Sequence, residues 1–388
     1  MSDLISLPMI ERLVSFDTTS RNSNLELIEF ARDYLAGLGA RCHLVPSGDG
    51  GKANLYATLG PADRGGVLLS GHTDVVPVDG QDWASDPFRL TERDGRLHGR
   101  GTADMKSFIA IALAHAPLFA ARGLETPLHF ALSYDEEVGC IGVRGLIEQL
   151  AGFPVKPAMC IVGEPTEMQV VTAHKGKISV RVHVRGLECH SSLAPQGVNA
   201  VEYGAEAVAM VRALARRKMA EGPFDDDFDI PHTTVHTGVI QGGTALNIVP
   251  ADCTFVFEVR HLPGDDPRAV LDELRARAEA ELVPAMRAVD PAAGIDWDLY
   301  TEMPGLDTRA DADVVAFAKA LAGRNDHAKV AFGTEAGLFQ TRGGIPTVVC
   351  GPGSIGQAHK PDEFITREQV ALGEAFMRRL MDKLCAPT

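Results

Sequence analysis

Histidines and carboxylates recur along this chain directly after apolar, strand-like runs. They are His72 and Asp74 in SGHTDVVP, Asp104 in GRGTADMK, Glu136 and Glu137 in SYDEEVG, Glu164 in VGEPTE, and His359 in GQAHKPDEF. Imidazole nitrogens and carboxylate oxygens are ligands for zinc, and also for cobalt or manganese. Two histidines and three carboxylates suit two divalent ions that share one bridging carboxylate. The pattern predicts a dinuclear metal site without cysteine ligands.

Each of these residues alone has an ordinary structural explanation. A single histidine after a strand is commonly a polar loop residue, and Asp104 could be the N-cap of the helix that follows it. Glu164 could lie in a solvated turn before Pro165, and the DEE run could be an exposed acidic loop. All these explanations would have to hold at once, so one shared site is the favoured interpretation.

The spacing of the candidate ligands matches a repeating strand–helix unit. Asp104 follows His72 by 32 residues, Glu137 follows Asp104 by 33, and Glu164 follows Glu137 by 27. About 30 residues is the length of one such unit. Residues spaced in this way can emerge at one edge of an open α/β sheet, which is where such sheets place their sites.

The elements that must position these residues are apolar runs. GGVLLSGH, LHFALSY and AMCIVGE are continuously apolar, as expected for strands that are covered on both faces. Helical segments separate them, which predicts an α/β fold with a mixed sheet.

A different pattern begins at KISVRVHVRG. Here Ile178, Val180, Val182 and Val184 alternate with polar residues, which indicates a half-exposed, antiparallel strand. The order β-α-β-β-α-β that follows predicts a ferredoxin-like α+β domain. We therefore expect a discontinuous catalytic, metal-binding domain at 1–176 and 297–388, with 177–296 inserted as a lid or dimerisation domain.

Composition narrows the class of protein. The 388 residues carry a net charge of −15, which argues against nucleic acid as a partner. Seven scattered cysteines without a CxxC pair, and a start that lacks the features of a signal peptide, predict a cytoplasmic protein with reduced thiols. The most apolar segment, SFIAIALAHAPLFAARG, is too short to cross a bilayer and predicts a buried helix, so no membrane partner is expected.

The blocks SGHTDVVPV, GRGTADMK, DEEVG, GEPT and AHKPDEF together resemble the zinc-dependent amidohydrolase and exopeptidase family. That family includes acetylornithine deacetylase, succinyl-diaminopimelate desuccinylase and aminoacylase. The blocks occur in the family order over nearly the whole chain, and VVTAHKGKISVRVHVRG and ALNIVPADCTFVFEVRHLPG are most similar to the acetylornithine deacetylase branch. One departure is Ser107, where the family usually has glycine.

The resemblance implies a role for each candidate residue. His72, Asp104, Glu137, Glu164 and His359 would bind two divalent ions, zinc in the first place and cobalt or manganese as alternatives, with Asp104 bridging. Glu136 would be the general base, and Asp74 would orient the His72 ring. A cis peptide bond is also implied between Asp104 and Met105.

The remaining expectations concern substrate and assembly. The resemblance implies that His190 donates to the developing oxyanion, in the active site of the other subunit of a homodimer formed through the inserted domain. Asn247 and Arg260 would bind the substrate carboxylate. Glu335, an acid in a loop flanked by glycines, is our candidate partner for a distal substrate ammonium, with an ordinary helix-start glutamate as the alternative.

The implied reaction is hydrolysis of an N-acyl amino acid. The leading substrate is N-acetyl-L-ornithine, converted to L-ornithine and acetate in arginine biosynthesis. Desuccinylase, broad aminoacylase or dipeptidase activity are the alternatives, because a few pocket residues decide such specificity. A non-catalytic descendant that only binds metal or an amino acid is disfavoured by the intact Glu136.

Overall fold

The computed structural model describes residues 4–386, and its chain divides into two compact units. The first unit comprises three segments, 4–174, Leu306–Val330 and 334–386. The second comprises Lys175–Gly305 with Ala331–Gly333. The segment that we expected to be inserted, 177–296, lies inside this second unit.

The helices and strands are numbered in chain order. The strands are β1 Arg41–Pro46, β2 Ala53–Leu59, β3 Val67–His72, β4 Thr91–Arg93, β5 Arg96–His98, β6 Leu128–Ser133, β7 Met159–Pro165, β8 Val171–His174, β9 Gly176–Arg185, β10 Cys189–His190, β11 Thr234–Gly242, β12 Ile248–Val249, β13 Asp252–His261, β14 Gly294–Met303, β15 Leu306–Asp307, β16 Ala328–Val330, β17 Thr347–Gly351 and β18 Phe364–Thr366. The helices are α1 Leu7–Val14, α2 Leu25–Gly37, α3 Lys106–Arg122, α4 Val143–Ala151, α5 Ala200–Glu221, α6 Pro267–Glu281, α7 Val283–Val289, α8 Asp313–Ala322, α9 Ala336–Thr341 and α10 Arg367–Leu384.

The first unit is built on a nine-stranded mixed sheet, as the sequence predicted. Its strand order is β1-β2-β6-β3-β7-β17-β8-β15, with β16 paired to β8. The strands β6, β3, β7 and β17 run parallel to one another, whereas β1 and β2 are antiparallel. Every residue of β3 and β6 is buried, which confirms that the apolar runs are strands covered on both faces.

Helix α3 confirms the prediction of a buried helix. Eleven of its 17 residues are buried, and its apolar side chains join the main core of the first unit. This helix begins two residues after Asp104, so its packing fixes the loop that carries that aspartate.

A small three-stranded sheet lies beside the main one in the same unit. Its order is β18-β5-β4, and Phe364 of β18 pairs with His98 of β5. This pairing brings the chain after His359 next to the segment that leads to Asp104.

The second unit is a four-stranded antiparallel sheet with helices packed on it. Its order is β11-β13-β9-β14, with the β-α-β-β-α-β connectivity predicted for this segment. The alternating valines of β9 are fully buried against α5 and α6, whereas Arg181 and Arg185 are exposed. β11 lies at one edge of the sheet.

No helix within residues 4–386 is long and apolar enough to cross a membrane. All seven cysteines lie within this range, and all are free thiols.

Candidate metal centre

The carboxyl ends of neighbouring parallel strands bring the predicted ligands together. His72 is the last residue of β3, and Glu164 is the sixth of the seven residues of β7, the adjacent strand. Glu136 and Glu137 follow β6, on the other side of β3. These side chains therefore meet at one edge of the sheet, as the spacing of the sequence indicated.

Asp104 lies between two sets of predicted ligands and offers one oxygen to each. Its Oδ1 is 3.0 Å from Nε2 of His72, and that same nitrogen is 3.8 Å from Oε1 of Glu164. Its Oδ2 is 3.3 Å from Nε2 of His359, which is 3.1 Å from Oε2 of Glu137. This is the geometry of a bridging carboxylate between two sub-sites, one formed with His72 and Glu164 and the other with His359 and Glu137.

The two sub-sites differ in their access to solvent. The His72 side chain is 1% exposed, whereas the His359 side chain is 52% exposed. The histidine of the first sub-site is therefore buried, whereas the histidine of the second is accessible to solvent.

The electrostatics of the centre favour cations. Burial alone would lower the pKa of His72, but the carboxylates of Asp104 and Asp74 raise it well above its ordinary value. Hydrogen bonds to Asp104 and Glu137 raise the pKa of His359 to about 10. Burial, followed by the charge of Asp104, raises the pKa of Glu164. The negative potential that produces these shifts attracts divalent ions.

The ligand set fits two such ions. The groups His72, Asp104, Glu137 and His72, Glu136, Glu164 each place one donor atom per residue within 4.8 Å of one another. Nitrogen and carboxylate oxygen donors are compatible with zinc, cobalt and manganese. The peptide bond between Asp104 and Met105 is cis, which confirms the expectation from the family resemblance.

Glu136 is half-buried beside the centre, and within residues 4–386 its carboxylate forms no ion pair with an imidazole. Its Oε1 accepts a hydrogen bond from the Cys140 thiol at 3.2 Å. Burial raises its pKa to about 8, and the negative charges of Glu137 and Asp104 act in the same direction. A carboxylate whose pKa lies near neutrality can both take and return a proton at physiological pH.

Asp74 contacts three functional residues, the ring of His72 and the backbone amides of Glu136 and Glu137. The Nδ1 atom of His72 is 2.8 Å from the backbone carbonyl of Asp74, and 3.6 Å from its carboxylate. The carboxylate instead accepts the backbone amides of Glu136 and Glu137, at 3.1 and 3.3 Å. Ser20 donates to it as well, at 2.8 Å. The ring of His72 is therefore oriented mainly by the main chain of Asp74.

Asp135 has a supporting role in the same loop. Its carboxylate forms an ion pair with Lys52, whose ammonium also donates to the carbonyl of Ser20. The three adjacent acids thus divide their functions: Asp135 anchors the loop, while Glu136 and Glu137 face the centre.

The sequence reasoning missed a buried ion pair that links two ligand loops. Arg100 Nη1 lies 2.6 Å from Glu363 Oε2, and each side chain is 1% exposed. The other oxygen of Glu363 accepts the amides of Ala103 and Asp104 at 2.8 and 3.1 Å. Arg100 and Glu363 belong to the motifs GRGTADMK and AHKPDEF, but nothing in the sequence pairs one with the other.

Gln81 extends this network to the second histidine. Its Oε1 accepts from Arg100 at 2.6 Å, and its Nε2 donates to the carbonyl of His359 at 3.1 Å. Asp104 and His359, which contribute to the same sub-site, are therefore held by one connected set of polar contacts, which runs from the buried Arg100–Glu363 pair to the more exposed Gln81.

Glu335 lies in the interior of the first unit. It is 0% exposed, and its two carboxylate oxygens accept from the hydroxyls of Ser70 and Ser133 at 2.6 and 2.7 Å. A substrate ammonium would have to displace one of these hydroxyls to reach it.

His190, Asn247 and Arg260 belong to the second unit. His190 pairs with Ile248 in the short β10–β12 ladder, and the carbonyl of Asn247 accepts the amide of Ser191 at 3.0 Å, so these two residues are neighbours. Arg260 lies on β13 and donates from Nε to Glu258 at 2.9 Å. Their roles toward a substrate stay predictions.

An α/β sheet with a two-part centre of this composition at its carboxyl edge is the architecture of a metal-dependent hydrolase. Residues 68–383 match the profile of Peptidase family M20/M25/M40. This chain belongs to that family, which confirms the resemblance noted in its motifs.

Similar proteins cover the chain almost completely. It is 39% identical over 381 residues to an acetylornithine deacetylase of Myxococcus xanthus, covering 97% of this chain and 96% of that one. It is 35% identical over 385 residues to an acetylornithine deacetylase of Pasteurella multocida, covering 99% and 97%.

A solved structure shows the same fold. The M20 family metallo-carboxypeptidase Sso-CP2 from Sulfolobus solfataricus superposes with a TM-score of 0.76 at 18% identity, covering 98% of this chain and 99% of that one.

Proposed function

We propose that this protein hydrolyses N-acetyl-L-ornithine to L-ornithine and acetate, with divalent ions bound by His72, Asp104, Glu137, Glu164 and His359. The observation that carries the proposal is the similarity to acetylornithine deacetylases over nearly the full chain, together with a complete ligand set and an intact Glu136. Ornithine formed in this way would serve arginine biosynthesis. The free thiols and the sequence composition support a cytoplasmic enzyme.

The residues of the centre divide the work of amide hydrolysis. Divalent ions would supply Lewis acidity toward the amide carbonyl and toward the attacking water. Glu136 takes the proton of that water and delivers it to the leaving amine, which is the ornithine α-nitrogen. The amides of Glu136 and Glu137 are fixed on Asp74, so the base and the neighbouring ligand keep a constant separation. Zinc is the proposed metal, with cobalt and manganese as alternatives.

Three residues of the second unit complete the proposal. His190 accepts from the backbone amide of Ser192 through Nδ1, which leaves Nε2 as the protonated nitrogen that can donate to an oxyanion. Arg260 and Asn247 would bind the substrate carboxylate.

We propose a homodimer through the second unit, in which His190 serves the partner's active site. Exposed apolar side chains support this assembly. Val239 and Ile240 on the edge strand β11 are each 48% exposed, and Leu246 is fully exposed.

The role of Glu136 is tested by the isosteric substitution Glu136→Gln, with surface Asp311→Asn as the matched control. The loss of general base catalysis should lower kcat by about 10²–10⁴-fold, while the bound metal per chain stays unchanged. Substrate specificity is tested with a panel of acetylornithine, succinyl-diaminopimelate, acetylmethionine and a dipeptide, using stripped protein supplied with zinc or cobalt. Full turnover by Glu136→Gln would refute the assigned base, and faster hydrolysis of another panel member would refute the proposed substrate.

The assignment of His190 across subunits has its own test. His190→Ala and Glu136→Ala are each inactive as homodimers under this proposal, but mixed dimers contain one site with both side chains intact. Equal mixing should therefore restore about a quarter of the wild-type activity. Sedimentation first establishes that the two variants exchange subunits. If their mixture then recovers no activity, His190 serves the active site of its own subunit.

A further inference from the structure

The carboxylate of Glu335 links two strands of the first unit. Its Oε1 accepts from Ser70 on β3 at 2.6 Å, and its Oε2 accepts from Ser133 on β6 at 2.7 Å. All three residues are 0% exposed. Both contacts are as short as charge-assisted hydrogen bonds between a hydroxyl and a carboxylate.

The two serines lie just before the functional residues of the centre. Ser70 precedes His72 by two positions, so their side chains lie on the same face of β3. Ser133 is the last residue of β6, three positions before Glu136. β3 and β6 are parallel neighbours, with His72 paired to Ser133. Glu335 therefore spans the ends of the strands that carry a ligand and the general base.

Burying a carboxylate at this position costs free energy that packing alone does not require. No lysine or arginine forms an ion pair with Glu335 among residues 4–386. Burial raises its pKa, two serine hydroxyls and His72 act against that shift, and Asp74 adds to it. An apolar side chain would fill the same space without the cost of burying a charge.

We propose that Glu335 is a positioning residue for the metal centre. Its two hydrogen bonds hold the ends of β3 and β6 together, so that His72 and the Glu136–Glu137 pair meet at the correct separation. This inference rests on the proposed metal-dependent function, and it replaces substrate binding as the role of this glutamate.

The test compares Glu335→Gln with Glu374→Gln in metal-stripped protein. Glu374 is the control because its carboxylate is 3% exposed and accepts two hydrogen bonds from Ser6, at 3.0 and 2.8 Å, in the same unit. Unlike Glu335, it also pairs with Arg378 at 3.4 Å. Zinc and cobalt affinities are measured by calorimetry, and the cobalt sites by visible absorption. Supporting contacts around metal ligands are worth about 10–100-fold in affinity, so we expect a loss of at least tenfold and an altered cobalt spectrum for Glu335→Gln alone.

Ser70→Ala and Ser133→Ala provide a second measurement that keeps the buried carboxylate. Each should lower metal affinity in the same direction as Glu335→Gln, and adding either to Glu335→Gln should cost little more, because the same contact is already lost.

Unchanged metal affinity and an unchanged cobalt spectrum in Glu335→Gln would overturn the inference. So would a raised KM for acetylornithine, but not for acetylmethionine, with normal metal binding, because that result would make Glu335 the partner of the substrate ammonium. If the wild-type protein binds zinc and cobalt but does not hydrolyse acetylornithine, the proposed substrate is refuted. The metal titrations would still decide the role of Glu335.

Discussion

Replacing Glu363 with glutamine changes few atoms but should strongly lower the free energy of unfolding of the first unit. The substitution keeps the shape of the side chain and an oxygen that can accept the amides of Ala103 and Asp104. It removes the charge opposite Arg100, which lies 2.6 Å away and is 1% exposed. An arginine left buried without its partner costs about 3–5 kcal/mol, which is a large part of the roughly 5–15 kcal/mol that stabilises a typical protein.

The magnitude follows from the burial of the pair. Burial raises the pKa of Glu363, and Arg100 with the backbone amide of Asp104 offsets only part of that shift. Burying the pair therefore costs free energy of desolvation, and each charge offsets the cost of burying the other. Substituting both residues, as in Arg100→Met with Glu363→Gln, should recover at least half of the stability lost by Glu363→Gln alone.

Urea unfolding of metal-stripped protein provides the measurement, because it separates this effect from metal binding. Asp311→Asn is the matched control, since Asp311 pairs with Arg309 on the surface, where the two side chains are 70% and 83% exposed. This control should show no measurable change. Glu363→Gln that is no more destabilising than Asp311→Asn, or a double variant less stable than Glu363→Gln, would contradict a stabilising role of the buried pair.

Three further outcomes are expected. Gly163→Ala should destabilise the first unit by about 1–3 kcal/mol, because a Cβ there would lie 2.0 Å from the Phe108 ring. In urea unfolding, Gly163→Ala with Phe108→Ala should cost less than the sum of the two single substitutions, because the smaller side chain removes the clash. Burial lowers the pKa of His129 from 6.5 to about 4, so the unfolded chain binds an extra proton between these values. The contribution of His129 to the free energy of unfolding is then complete above pH 6.5 and falls by up to about 3 kcal/mol as the pH drops to 4. His129→Asn should make the free energy of unfolding depend less on pH in this range. The same pH dependence in both proteins would exclude His129 as its source. Removal of bound metal by a chelator should lower the Tm. Adding zinc at a free concentration of a hundred times its Kd should raise the free energy of unfolding by about 2.7 kcal/mol. A Tm that does not change with metal would contradict a metal site that forms only in the folded chain.

The sequence was informative where chemistry requires particular residue types at strand ends. His72, Asp104, Glu137, Glu164 and His359 do converge, and Asp104 does lie between the two histidines. Motif order and strand–helix spacing carried this information, because parallel strands bring their carboxyl ends to one edge.

The supporting contacts could not be predicted from the sequence. Arg100 and Glu363 are 263 positions apart, and their pairing depends on β18 lying against β5. The contacts of Glu335, which the sequence suggested as a substrate-binding residue in a loop flanked by glycines, could not be predicted either. Its actual partners, Ser70 and Ser133, are small polar residues within apolar runs, and only the tertiary packing shows that both hydroxyls point to one carboxylate.

The strand order of the first unit has a consequence for synthesis on the ribosome. β17 lies between β7 and β8 in the sheet, yet Thr347 is made 173 residues after His174, the last residue of β8. At a translation rate of roughly 5–20 residues per second, the nascent sheet therefore waits about 9–35 s for the strand that joins β7 to β8. During that time β7 and β8 both present unpaired edges, which are templates for aggregation with other chains. A chaperone that shields strand edges should raise the yield of this protein more during translation than during refolding of the complete chain.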